Sequence, residues 1–259
     1  MQPRSGGGSA SWREMPPLLM QRPLWFRIPF HKQIPVWVFL FLFVGTLISV
    51  LAGQKPSRQY KEGHIFTLFS TTLLGFTGLT ALLVYRKRSA GRESFRQRIR
   101  APEFLWILIG GGFIYLALDE VACIHEKMGE MIRIGLRLEE TPLTDRIDGV
   151  LVVIYGMIGL WALWVYRQEM RFFKTIRAGL TIGFILLAVS LSFDLLTDDS
   201  TLFRMWLPEA WWRVVFEWTG AFEDACKIMA VAFFLSAFLE ARVSARKDQE
   251  PGTSPAGTD

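Results

Sequence analysis

Cysteine and histidine are scarce, at two and three in 259 residues. Two cysteines cannot form a disulfide framework, so Cys123 and Cys226 read as buried, inert thiols. His31 sits in a basic stretch, which leaves His64 and His125 and excludes a histidine-rich zinc site. There is no HExxH, no CxxC and no Glu-x-x-His pair, and no glycine-rich phosphate loop. No repeat at a fixed period and no strand hairpin is present, so solenoid and sheet architectures fall away. Basic stretches interleaved with aromatics are missing too, so the formal net charge of +5 does not point to nucleic acid.

Apolar sequence is what the chain has in quantity: 51% hydrophobic and 14% aromatic residues. It is gathered into six runs of roughly the 20 residues a bilayer crossing needs, at 35–53, 64–85, 103–123, 149–166, 178–197 and 217–239. The expectation is an all-α fold, a polytopic membrane bundle of six transmembrane helices over residues 35–240. Residues 1–34 read as a cytoplasmic, interfacial segment rather than a cleaved signal peptide, because a full span follows them. Residues 241–259 read as a disordered cytoplasmic tail. Nineteen Lys and Arg fall on the side of the termini and nine on the other, with Lys227 inside a span. By the positive-inside rule both termini are cytoplasmic, in a bacterial inner membrane. Trp206, Trp211, Trp212 and Trp218 then form an interfacial belt on the outer side.

Within the spans the acids share a depth. Measured from its cytoplasmic end, each of Asp119, Asp194, Asp224 and Ser70 lies sixteen residues along its helix. At 1.5 Å per residue that is about 24 Å into a core about 30 Å thick. Glu120 and Glu223 are immediate neighbours, and His125, Glu126 and Glu217 lie further out. Helical spacing puts Asp119, Glu126 and Glu130 on one face, and Glu217, Gly220 and Asp224 on another, with a glycine between two acids to admit a ligand. Glu223 and Lys227, four apart with Glu first, read as an ion pair. Asp198, Asp199, Glu139 and Glu140 read as helix ends reaching water.

Crowded carboxylates need shared protons, a basic side chain or a cation. One expectation is a metal-dependent hydrolase acting on a lipid or lipid-linked substrate at the periplasmic side. Asp119, His125, Asp194 and Asp224 would hold a divalent ion, with Glu120 as general base and Ser70 positioning substrate. The oxygen-rich donor set suits Mg, Mn, Ca or Fe. The alternatives are a proton- or cation-coupled transporter or channel and a non-catalytic assembly protein. Gly110–Gly112 and the Gly179/Gly183 pair read as packing surfaces.

The segment "LALDEVACIHEKMGE" (116–130) resembles a motif of an uncharacterised family of bacterial multi-span membrane proteins, in which LDE-x4-HE ends one span. "FEWTGAFEDACK" (216–227) resembles the Glu-rich start of a late span in that family. The resemblance rests on Leu118, Asp119, Glu120, His125 and Glu126 and implies no activity. Membrane hydrolases of the ceramidase and adiponectin-receptor type need an HxxxH pair that this chain lacks.

Overall fold

The structure is a computed structural model that describes residues 28–61, 63–89, 99–137, 139, 147–197 and 200–247. The interfacial segment up to residue 27, the tail from 248, and Glu140, Asp198 and Asp199 lie outside the described residues. Helices dominate: α1 (Phe30–Leu51), α2 (Ile65–Arg88), α3 (Leu105–Ala122), α4 (Ile124–Gly135) and α5 (Ile147–Val165) come first. After them follow α6 (Arg167–Phe172), α7 (Arg177–Thr197), α8 (Ser200–Trp206) and α9 (Glu209–Lys247). No strand occurs among the described residues.

Five segments are long and apolar enough to cross a membrane: Phe30–Leu51, Pro56–Arg88, Pro102–Ala122, Lys174–Asp194 and Glu209–Ala245. The expected fourth span is the short one, apolar over Gly149–Val165. The expected sixth span is instead the middle of the 39-residue α9. That helix is about 58 Å long at 1.5 Å per residue and outruns a hydrocarbon core of about 30 Å. It begins immediately after Pro208, and no further proline interrupts it.

The long helix is the axis of the bundle. One core cluster joins Trp106 of α3 and Val84 of α2 to Phe234 and Phe238 of α9. A second joins Val38 and Leu42 of α1 to Phe66 and Leu74 of α2 and Val231 of α9. Small residues let these helices approach. A Cβ on Gly78 would stand 2.8 Å from the Gly110 carbonyl oxygen, so α2 and α3 meet backbone to backbone. A Cβ on Gly183 would stand 2.6 Å from the Phe234 ring, and one on Gly179 3.2 Å from Ala237. Of the glycines expected to pack, Gly110, Gly179 and Gly183 do, whereas Gly111 and Gly112 have open space where a Cβ would go, and α3 runs unbroken through all three of Gly110–Gly112.

The outward faces stay apolar. On α5, Val150, Ile154, Met157, Ile158, Trp161 and Trp164 are all exposed, as they would be against acyl chains. Trp206, Trp211 and Trp218 are exposed as expected of a belt, but Trp212 is buried, with Arg204 4.6 Å and Arg213 5.3 Å from its ring centroid. An indole flanked by two guanidiniums packs inward because cation–π contact offsets its lost hydration.

Contacts define two ends of the bundle. At the basic end Glu169, 2% exposed, takes Arg88 Nε at 3.1 Å and Nη2 at 3.3 Å. The Trp106 indole N–H donates to the same carboxylate at 3.0 Å, and Arg88 also lies 4.0 Å over the Phe172 ring. Lys32 meets Glu240 at 3.3 Å at this same end. The acids singled out from the sequence, among them Asp119, Glu120, Asp194, Glu217 and Asp224, lie toward the other end.

Candidate functional site

Three arrangements make up the acid-rich end. The first forms where α3 stops. Cys123 adopts φ 48°, ψ 48°, a left-handed conformation that costs a non-glycine residue energy and turns the chain into α4. Across that corner Asp119 Oδ1 accepts the His125 backbone N–H at 2.8 Å, capping α4. Its Oδ2 meets His125 Nδ1, also at 2.8 Å. Asp119 is buried, and both of its oxygens are spent on one histidine. Tyr115 and Tyr155 are joined by a 2.8 Å hydrogen bond, and Tyr155 lies within electrostatic reach of Asp119.

The corner corrects one sequence expectation. Asp119, Glu126 and Glu130 do not share a helical face, because the helix breaks between them. Glu126 falls in the first turn of α4 and is exposed, as is Glu130. No single-helix periodicity anticipates a left-handed cysteine.

The second arrangement crosses the bundle. Lys227 Nζ of α9 stands 2.7 Å from Glu120 Oε2 of α3. The sequence reading joined Lys227 to Glu223 within one helix. The structure supplies a partner from the neighbouring helix, and leaves Glu223 and Asp224 within electrostatic reach. Asp224 in turn feels Lys227, Glu120 and Asp194. Asp194 stands against the start of α5, its Oδ2 3.8 Å from where a Cβ on Gly149 would be. Asp224 thus lies in the field of Glu120 and Asp194, acids of two other helices, whereas Asp119, which the depth reading matched with Asp194 and Asp224, turns to His125.

The third is a cavity of about 260 Å³ at the same end, with Asp224, Gly220, Glu217 and Phe216 of α9 on one wall. Ser57, Tyr60 and Lys61 form the other wall, from the turn joining α1 and α2. That turn is held in place. The Thr46 and Tyr60 hydroxyls lie 3.0 Å apart, and Thr67 Oγ1 donates to the Tyr60 and Lys61 carbonyls at 2.9 and 2.8 Å. Lys55 Nζ meets Glu217 Oε1 at 2.5 Å and Ser57 donates to Oε2, so the Glu217 charge is matched within the wall. Gly220 has open space where a Cβ would go, as its place between two acids anticipated.

Ser70 joins none of these. It is 1% exposed, its Oγ makes no hydrogen bond, and it does not line the cavity. Nor do Asp119, His125, Asp194 and Asp224 fit the divalent ion expected of them. Among the described residues no three His, Cys, Asp or Glu side chains are grouped to hold a metal. Asp119 already directs one lone pair of each oxygen to His125. Cys123 and Cys226 are free thiols. Ser57 and Tyr60, in the 3-10 helix Pro56–Tyr60, and Lys61 just after it were not singled out from the sequence, because their stretch carries only the basic Lys55, Arg58 and Lys61 and its place against α9 is set by the fold. Sequence reasoning also passed over Glu169, whose burial follows from a cation and an indole brought in from α2 and α3.

The fold and site define an all-helical bundle, with helices able to span a membrane and an ionisable cluster at one end. The chain belongs to the family described as a domain of unknown function, DUF8692, whose model matches residues 27–241. The match takes in every element above except the last turn and a half of α9, and agrees with the resemblance to an uncharacterised family. No curated protein and no solved structure matches the chain.

Proposed function

We propose that this chain is an integral membrane protein of the bacterial inner membrane that performs acid–base chemistry on a lipid or lipid-linked substrate at the periplasmic side. The observation that carries this reading is Asp224. It lines a cavity and at the same time lies in the field of Glu120, Asp194 and Lys227, all half-buried like itself. A carboxylate that faces both a cavity and a field of fixed charges is suited to hold a polar group and exchange a proton with it. His125 supplies the base. With Nδ1 donating to Asp119, a neutral imidazole presents Nε2 as the acceptor, and the carboxylate stabilises the ring when it takes a proton. Lys227, paired with Glu120, sets the positive charge behind Asp224. The positive-inside asymmetry supports the orientation, with the acid-rich end outward.

Proton-coupled transport is the second reading, and one observation favours it: three carboxylates surround a single lysine. Against it, the Gly78–Gly110 contact and the packed rings of Trp106, Phe113, Phe234 and Phe238 close the middle of the bundle.

The test is conversion of lipids by the purified full-length protein in vesicles of bacterial polar lipid, followed by mass spectrometry. Wild type should convert a lipid class, and His125→Ala should slow it by about 100-fold or more, the usual contribution of a general base. No conversion by the wild type, or a wild-type rate in both His125→Ala and Asp224→Asn, refutes the reading.

A further inference from the structure

Two opposite charges line the cavity without a direct ion-pair contact among the described residues: Lys61, an exposed residue that reaches Glu217 only through its field, and Asp224, which shares the field of Lys227 with Glu120 and Glu223. Asp224 makes no hydrogen bond among the described residues, and it lies seven residues, about 10 Å along the helix, inward of Glu217. The other charges nearby are accounted for: Glu217 by Lys55 and Ser57, Lys227 by Glu120. Asp194 adds a further negative charge to the field at Asp224. The cavity is thus negative at its floor and positive at its mouth. A purely anionic guest would leave Asp224 facing it with like charge. A purely cationic guest would meet Lys61 first.

We propose that the cavity takes the zwitterionic head group of a phosphoethanolamine lipid, its ammonium on Asp224 and its phosphate at Lys61. This rests on the reading that the acid-rich end faces a leaflet from which lipids enter. Gly220 leaves the backbone open where the linker between the two charges would pass. About 260 Å³ is near the lower end of small-ligand sites, enough for a head group and too little for acyl chains. The acyl chains remain in the surrounding bilayer, which holds a lipid at the mouth of the cavity; a soluble phosphoethanolamine carries the same two charges without that anchorage, so the lipid is the better ligand.

The experiment is thermal melting of the full-length protein in detergent, titrated with phosphatidylethanolamine, phosphatidylglycerol of the same acyl chains, or soluble glycerophosphoethanolamine. The expected result is stabilisation by phosphatidylethanolamine, half-saturating at a concentration at least tenfold below that of phosphatidylglycerol. Asp224→Asn and Gly220→Leu should each abolish the preference while remaining monodisperse and cooperatively melting. Should Asp224→Asn fail to fold, Lys61→Ala on the exposed rim gives an independent reading: it should weaken phosphatidylethanolamine binding severalfold. Equal half-saturation by the two lipids overturns the proposal, as does a preference that survives both Asp224→Asn and Lys61→Ala. Equal potency of the soluble head group overturns the lipid assignment. Since only binding is read, a protein that binds phosphatidylethanolamine but converts no lipid keeps this inference and loses the acid–base one.

Discussion

Glu169→Ala should be the most damaging single change at the basic end, and its size follows from three contacts. The carboxylate is 2% exposed and accepts from Arg88 Nε, Arg88 Nη2 and Trp106 Nε1. Alanine removes all three acceptor positions at once. The indole N–H, on a tryptophan with no exposed surface, then has no partner, at a cost of about 1–3 kcal/mol. Breaking a buried ion pair by deleting one member costs about 3–5 kcal/mol. The Arg88 side chain is 26% exposed and can recover some hydration, which argues for the low end of both terms, about 4 kcal/mol in total. At about 2–4 °C per kcal/mol for a domain of this size, the melting midpoint should fall by about 8–16 °C. Glu169→Gln keeps an acceptor for the indole and should lose less. Glu209→Ala is the control: its pair with Arg213 spans two side chains more than 70% exposed and should move the midpoint by no more than about 1 °C. Intrinsic fluorescence melting of the purified variants reads all three. A Glu169→Ala midpoint within about 1 °C of wild type would refute the claim that this carboxylate ties α2, α3 and α6 together.

Gly78→Ala should destabilise by about 1–3 kcal/mol, because the new methyl meets a backbone oxygen that has no room to yield. Gly111→Ala, with open space around it, should be neutral or stabilising by up to about 1 kcal/mol through helix propensity; the same melts test both. Lys227→Met and Glu120→Gln should each lower the melting midpoint, and the double variant should recover part of the loss. Strict additivity would mean that the 2.7 Å contact carries no coupling. Fusions to a reporter active only in the periplasm should work at residues 140 and 205 and fail at 92 and 172. A reversal would invert the outward placement of the acid-rich end.

What the sequence could and could not convey divides along the helix. Properties that repeat every turn were legible: the apolar runs, the small-residue faces at Gly110, Gly179 and Gly183, and the Glu217–Gly220–Asp224 stripe, which indeed lines one wall of a cavity. Depth, read as residue count along a helix, matched Asp119, Asp194 and Asp224, of which Asp194 and Asp224 lie within electrostatic reach of each other while Asp119 is taken up by His125. Rotation between helices was not. Lys227 has acids on its own helix that spacing can find, but its 2.7 Å partner Glu120 depends on how α3 is turned against α9. Ser70 shows the same limit: it shares the depth of the acids but turns into the packed interior. The corner at Cys123 was hidden for a different reason. Neither glycine nor proline marks it, and its left-handed backbone is held by a carboxylate that caps the next helix and binds the next histidine in one move. The same residue pair that looked like two separate metal ligands is a carboxylate and an imidazole joined to each other. That distinction rests on which atoms of Asp119 are already taken, which no count of residue types contains.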